Sequence, residues 1–308
     1  MPWAEVSLSV PREQAEQAEQ ALEEQGALAI TFEDQADNPV LEPAVGTAPL
    51  WPVVEIRGLF EQDTDRSAIL TGLLTGLLKA GVIQRPDCIA WRDVADQDWE
   101  RAWMDRFQPM QFGQHLWIVP SGMPGPDDPL ALQLKLDPGL AFGTGTHPTT
   151  ALCLEWIDGM DLRGLRVMDF GCGSGVLGIA AALKGAASIC CVDNDPQALL
   201  ATVDNAERNG VSERIECYLP EDWVASRHDV PYDVIVANIL AGPLMQLAPQ
   251  LCACLRPNAH IVLSGILDHQ ADEVAAAYVE SCGPMQQEQR EEWVRLLGHR
   301  LSDAVLLP

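Results

Sequence analysis

The chain has 308 residues, 47% of them hydrophobic, and a formal net charge of −26. That apolar fraction suffices for packed cores, so disorder is not expected, and the length suits one large or two ordinary domains. Such acidity argues against docking on nucleic acid through a basic groove and favours solubility and basic partners.

In chain order, Val6 to Val10 alternates apolar and polar residues, which predicts a strand. Pro11 opens a helix rich in Glu and Gln that runs through Gln25 and closes at Gly26. Ala27 to Phe32 reads as a second strand, and Glu33 to Pro49 as an exposed polar loop. Val53 to Phe60 is a third strand, Asp65 to Ala80 a second helix ended at Gly81, and Asp87 to Val94 a fourth strand. The order β-α-β-β-α-β is that of a ferredoxin-like α+β module, which places a small first domain at residues 1–95. A linker helix is expected over 96–115. Its charged part, Asp96 to Phe107, carries Trp99, Trp103 and Phe107 at four-residue spacing, a stripe that buries one face.

The remainder, 116–308, reads as an α/β domain. Trp117 to Val119 and Leu132 to Leu136 are strands. A long loop follows from Leu136 to Thr150, rich in glycine, threonine and proline, and reads as a functional lid. Thr149 or Thr150 supplies the cap of a helix over Ala151 to Ile157. His147 is a candidate base or ligand, though a histidine before proline is more often a hydrogen-bonding residue.

The central stretch is Val167 to Ala182: a short buried strand, the turn Asp169-Phe170-Gly171-Cys172-Gly173-Ser174-Gly175, and an alanine-rich helix. Its glycines let the chain turn sharply and let a ligand approach the backbone, and the helix start offers free N–H groups. Two cofactors compete for such a turn. Gly173-x-Gly175-x-x-Gly178 matches the dinucleotide pattern, in which the helix start holds a pyrophosphate. Asp169-x-Gly171-x-Gly173-x-Gly175 instead matches the loop of S-adenosylmethionine-dependent methyltransferases. That cofactor carries an ammonium, for which Asp169 is a suitable neighbour and beside which a pyrophosphate would be awkward. Asp193, ending the next strand (Ala187 to Val192), suits the ribose hydroxyls of either.

Beyond it, Pro196 to Asn209 is a helix, Arg214 to Tyr218 a strand, and Glu221 and Asp222 are acids able to face an adenine amino group. Tyr232 to Asn238 is a strand with Asn238 at its carboxyl end, where ligands of open α/β sheets gather. A helix over Leu244 to Leu255, a strand over Ala259 to Ser264, a helix over Gln270 to Ser281 and strands over Glu292 to Leu297 and Arg300 to Leu306 complete the chain. Strand–helix alternation over 167–281 indicates a doubly wound parallel sheet.

Nine cysteines, none at C-x-x-C spacing, point to reduced and mostly buried thiols in a cytosolic protein. The first residues do not resemble a signal peptide, and Lys184 breaks the longest apolar run, so no membrane segment is expected. No metal-ligand motif occurs, so no metal is expected.

Three pieces together resemble the PrmA family of ribosomal protein L11 methyltransferases: Asp137 to Thr150, Asp169 to Gly175, and Asn238-Ile239-Leu240-Ala241-Gly242-Pro243. Asp98-Trp99-Glu100 with Trp103-Met104-Asp105 is also similar, and the likeness covers roughly residues 96–300. It implies a Rossmann-like methyltransferase sheet and S-adenosylmethionine as cofactor. It implies methyl transfer to the N-terminal amine and lysine amines of a large-subunit ribosomal protein, recognised by the small first domain. It further implies cofactor contacts at Thr150, Gly171, Asp193 and Asn238 with Phe142 near the donor, to which the residue reading adds Asp169 and Gly173. Asn238 is also the candidate catalytic residue, its side-chain oxygen accepting from the amine, and the carbonyl of Ile239 is a second candidate acceptor. Where related amine methyltransferases carry Asn-Pro-Pro-Tyr, this chain has Asn-Ile-Leu-Ala, so aliphatic walls replace the aromatic. A cytoplasmic monomer without nucleic-acid contact is expected. A nicotinamide-dependent oxidoreductase and a non-catalytic cofactor-binding protein are the competing classes.

Overall fold

The computed structural model describes residues 3–34, 50–83, 88–94, 108–137, 147–225 and 231–302. The chain separates into two compact units, Met1–Arg101 and Ala102–Pro308.

The first unit comprises β1 (Trp3–Pro11), α1 (Ala15–Glu24), β2 (Ala29–Asp34), β3 (Val53–Glu61), α2 (Arg66–Lys79) and β4 (Ile89–Val94). Its sheet has the order β2-β3-β1-β4, with every neighbouring pair antiparallel. Period-two burial along β1 puts Val6, Leu8 and Val10 into a core with Ala18 and Leu22 of α1 and with Leu73 and Leu77 of α2. The Asp65 carboxylate caps α2 by accepting from the amides of Ser67 and Ala68, both at 3.1 Å. Pro11 does not open α1 directly; Arg12–Gln14 form a tighter turn first. Most of the expected 33–49 loop, and the helix with Trp99, Trp103 and Phe107, lie outside the described residues.

The second unit opens with a small sheet, β5-β6-β7, formed by Met110–Phe112, Leu116–Val119 and Leu132–Lys135. A helix therefore cannot run through 96–115. Met110–Phe112 pairs antiparallel with β6 across a turn in which Gly113 takes φ 69°, and a Cβ there would overlap Asp158.

Then follow α3 (Pro148–Gly159), β8 (Arg166–Phe170), α4 (Val176–Leu183), β9 (Ser188–Val192), α5 (Pro196–Arg208), β10 (Ile215–Tyr218), α6 (Pro220–Ala225) and β11 (Tyr232–Asn238). The unit continues with α7 (Ala241–Ala253), β12 (Leu255–Leu267), α8 (Ala271–Cys282), β13 (Gln286–Arg290) and β14 (Trp293–His299). They build a seven-stranded sheet of order β10-β9-β8-β11-β12-β14-β13. The first five strands are parallel, and β14 runs antiparallel to both its neighbours. This is the doubly wound sheet expected from the alternation. Successive strand residues enter opposite layers, as the pleat requires. Val167, Cys191 and Val234 pack with α3, α4 and α5. Met168, Cys190 and Ile235 pack with α7 and α8. No helix among the described residues is long and apolar enough to cross a membrane.

Three boundaries depart from the sequence expectation. The cap of α3 is His147, because Pro148 already occupies the first helical turn and Thr149 and Thr150 lie buried inside it. The last two strands are β13 and β14. β13 carries only Gln, Glu and Arg and is largely exposed, so it shows no apolar alternation, whereas Arg300–Ser302 are not strand and 303–306 lie outside the described residues. β12 extends to Leu267, past the expected end at Ser264.

Candidate active site

The sheet's order reverses at β8. From β8 the chain steps outward to β9 and β10, then returns to place β11 on the other side. The carboxyl ends of β8, β9 and β11 therefore diverge, and a cavity of about 470 Å³ opens between them. It is lined by Gly171 and Gly173 from the turn after β8, Asp193 from the end of β9, Asn238 and Ile239 from the end of β11, and Thr150 from α3.

The turn is tightly specified. Gly171, Gly173 and Gly175 have φ of 76°, 53° and 76°, the left-handed region that favours glycine. The Gly171 amide donates to the Val192 carbonyl at 2.7 Å, joining the turn to β9. Asp193 braces it from the side: its Oδ2 accepts from the Gly173 amide at 2.9 Å and its Oδ1 from the Asp195 amide at 3.0 Å. From α5, Thr202 Oγ1 donates to the Gly173 carbonyl at 3.1 Å and Asn205 Nδ2 to the Ser174 carbonyl at 2.9 Å. These two buried polar side chains were not singled out from the sequence. Their signal is polarity three residues apart on the core-facing side of an amphipathic helix.

Asp169 is not among the residues lining the cavity. It lies beneath the turn at 1% exposure, with Oδ2 accepting from the Gly178 amide of α4 at 2.8 Å. Its Oδ1 has no hydrogen-bond partner among the described residues. Burial raises its pKa from 3.8 to about 7, opposed by the Gly178 hydrogen bond and reinforced by the Asp193 charge.

On the far side, Asn238 Nδ2 donates to Thr150 Oγ1 at 3.3 Å, which holds the amide and leaves its oxygen for other partners. Thr150 is fixed in turn, because Ser264 Oγ donates to the neighbouring Thr149 carbonyl at 3.2 Å. Ile239 is wedged between two glycines. A Cβ at Gly171 would overlap Ile239 Cγ2, and one at Gly265, whose φ is 82°, would overlap the Ile239 carbonyl oxygen. That carbonyl thus lies against Gly265. The roles of Ser264 and Gly265 were also missed; a glycine inside a strand is the signal that marks close backbone approach.

Three candidates are brought no nearer. His147 caps α3 through Nδ1, which lies 2.8 Å from Thr149 Oγ1, and its ring stands edge-on to Trp293 at 4.8 Å. Burial lowers its pKa, with Glu291 acting in the opposite sense. Glu221 and Asp222 are exposed, and of that segment Pro220 lines the cavity. Phe142 lies outside the described residues.

A doubly wound sheet with a glycine turn after its first central strand, an acid ending the next and a cavity at the switch point defines an S-adenosylmethionine-dependent methyltransferase. The model of the family described as "Ribosomal protein L11 methyltransferase (PrmA)" matches residues 2–301. A relative from Pseudomonas aeruginosa (strain LESB58), named Ribosomal protein L11 methyltransferase, is 53% identical over 304 residues, covering 98% of this chain and 100% of its own. One of the same name from Serratia proteamaculans (strain 568) is 50% identical over 301 residues, covering 97% and 100%. The crystal structure of a ribosomal protein L11 methylase from Lactobacillus delbrueckii subsp. bulgaricus superposes with a TM-score of 0.56 at 32% identity, covering 64% of this chain and all of that one. The chain belongs to the ribosomal protein L11 methyltransferase (PrmA) family.

Proposed function

We propose that the protein transfers methyl groups from S-adenosylmethionine to amines of ribosomal protein L11, namely its N-terminal amine and lysine side chains. The observation that carries this reading is the pairing of Asn238 with Thr150 across the cavity from Asp193 and the glycine turn, within a chain of the PrmA family.

The residues present fit the donor. The Asp169 carboxylate, with one oxygen unpartnered beneath the turn, complements a cationic group above it. Asp193 stands at the end of β9 with its backbone contacts already made, suited to accept from two ribose hydroxyls. The Gly171 and Gly173 backbone admits close approach, and Leu240, Pro243 and Leu247 give an apolar wall for a flat ring. Thr150 and Asn238 hold the reacting end, and Phe142 belongs to the same reading.

When bound, the donor supplies an already activated sulfonium methyl, so the chain's main work is to hold the amine in line. Asn238 is the catalytic residue of this reading. Its oxygen accepts from an N–H of the neutral amine and aims the lone pair at the methyl. Thr150 prevents the amide from turning away. The first unit, residues 1–95 in the sequence reading, selects the protein substrate. The reading takes the enzyme as a cytoplasmic monomer that binds no nucleic acid directly, in keeping with its net charge of −26.

The test is to incubate purified protein with labelled donor and recombinant L11, then map the label by peptide. Label on the N-terminal and lysine-bearing peptides is expected. Active enzyme that binds the donor yet leaves L11 unlabelled would overturn the assignment.

A further inference from the structure

The mechanism leaves a set of thiols unused. Cys172 sits in the glycine turn and lines the cavity. Its amide donates to the Val192 carbonyl at 3.2 Å, which holds it beside the end of β9. Cys191 is the residue before Val192, fully buried, and its thiol lies against that of Cys172. On the next strand Cys217 is the register partner of Cys191, and their thiols also meet. All three pack in the layer of α4 and α5, whereas Cys190 faces the opposite layer. Gly178 of α4 makes the room: a Cβ there would stand 3.0 Å from Cys191 Sγ. A continuous row of sulfur thus runs from half-buried Cys217 to the wall of the cofactor cavity.

We propose that Cys217, Cys191 and Cys172 form a peroxide-reactive thiol relay that ends in a Cys172–Cys191 disulfide at the cofactor turn. The polarity of the row supports this direction. Donation from the Cys191 thiol pulls Cys217 below its usual pKa, while the contacts with Cys172 and Cys217, and burial, push Cys191 well above its own. Reactive thiols are those with access and thiolate character, and Cys217 has both.

The oxidant is a hydroperoxide such as hydrogen peroxide. The Cys217 thiolate attacks one oxygen, the O–O bond breaks, and the departing hydroxide takes a proton to leave as water. Cys217 becomes a sulfenic acid. The Cys191 sulfur attacks the sulfenic sulfur, an S–S bond forms, and a second water leaves with the Cys191 proton. The Cys172 thiolate then attacks the Cys191 sulfur, and Cys217 departs as a thiolate. In sum, two thiols and one peroxide give one disulfide and two waters. A disulfide holds its sulfurs about 2.05 Å apart, far closer than two thiols in contact. Closing that gap moves the turn against β9 and deforms the wall shared by Gly171, Gly173 and Asp193. Oxidation therefore weakens donor binding, and reduction restores it.

The experiment uses the full chain. Peroxide-treated protein is alkylated, cleaved with trypsin and mapped without reduction. Cleavage after Lys184, Arg208, Arg214 and Arg227 puts Cys172, Cys190 with Cys191, and Cys217 on three separate peptides. The expected result is a 185–208 peptide linked first to 215–227 and then to 167–184. Substituting Cys191→Ala, but not Cys190→Ala, abolishes both links. Donor affinity by calorimetry falls at least tenfold on oxidation and returns with dithiothreitol. Cys217→Ala, or Cys217→Ser should the first fold poorly, retains affinity at the same peroxide dose. The proposal is overturned if no such peptide forms, or if Cys217→Ala loses affinity as readily as wild type. It is equally overturned if oxidation links only Cys252 to Cys282, a buried pair 3.8 Å apart between α7 and α8. The affinity arm rests on the donor site proposed above and the linked peptide does not. Reduced protein that fails to bind the donor would strike that reading alone, and the peptide map would still decide the thiol chemistry.

Discussion

Asp169→Asn is the substitution whose effect follows most directly from the geometry. The carboxyl is 1% exposed, keeps one hydrogen bond from Gly178, and is shifted from 3.8 to about 7, chiefly by burial. Its folded-state value lies above its unfolded one, so the neutral form stabilises the fold. That contribution is complete below about pH 4 and is lost as the pH rises through 7. At 1.36 kcal/mol per tenfold change in proton affinity, the loss amounts to about 4 kcal/mol. Asparagine retains the acceptor for Gly178 and does not titrate. Any penalty from its amide protons, which have no partner waiting, is independent of pH. The stability difference between variant and wild type should therefore shift in the variant's favour by about 1.4 kcal/mol per pH unit between pH 4 and 7, then level off. Hydrogen exchange at β8 and β9, corrected for intrinsic rates, reports the opening of the central sheet. A difference that stays flat across this window would refute the claim that Asp169 is buried with a raised pKa.

Four further outcomes are expected. Asp193→Ala removes the proposed acceptor of two ribose hydroxyls and should weaken S-adenosylmethionine by about 1.5–3 kcal/mol; calorimetric titration with unchanged affinity would refute the assignment. Asn238→Ala should slow single-turnover methylation with saturating donor far more than it lowers donor affinity, and an unaltered rate would make Asn238 structural. Gly171→Ala forces a side chain into a left-handed φ and onto Ile239, so both thermal stability and donor affinity should fall, the former by about 1–3 kcal/mol; a melting temperature equal to wild type would contradict the wedge. A chain truncated to 102–308 should bind the donor and fail to methylate folded L11, and methylation at the intact rate would remove the recognition role from the first unit.

Much of this was legible in the sequence because local rules and tertiary context agree. Val167 to Phe170 is apolar enough for only a central strand, and three glycines separated by single residues fit few backbones other than the turn observed. Asn238 was placed by its position at the end of a continuous apolar run, and β11 ends there. The misses have physical causes. β13 is an edge strand whose partner supplies the hydrogen bonds, so Gln286 to Arg290 needs no apolar face and shows none. His147 caps α3 although Thr149 and Thr150 are stronger capping types, because Pro148 sets the first turn and the threonines serve the interior instead. Asp169 was expected beside the cofactor. Period-two alternation sends its side chain beneath α4, a direction that motif spacing does not carry.

The two halves of the cavity depend on one another through Ile239. The turn motif and the post-strand motif lie almost seventy residues apart in sequence, yet Gly171 of the first accommodates the side chain of the second. Gly265 of β12 accommodates the Ile239 carbonyl from the other side, while the Ile239 amide donates to the Ser264 carbonyl at 3.1 Å. Ser264 also reaches the Thr149 carbonyl, so the same strand fixes the segment that presents Thr150 to Asn238. Asn238 is thus held at its backbone by β12 and at its amide by α3. A side chain so fixed loses little freedom when an amine arrives, which is what a reaction limited by alignment requires. The glycines of this site act twice: they bring the backbone close to the donor, and they leave the gap into which the nucleophile-orienting segment locks.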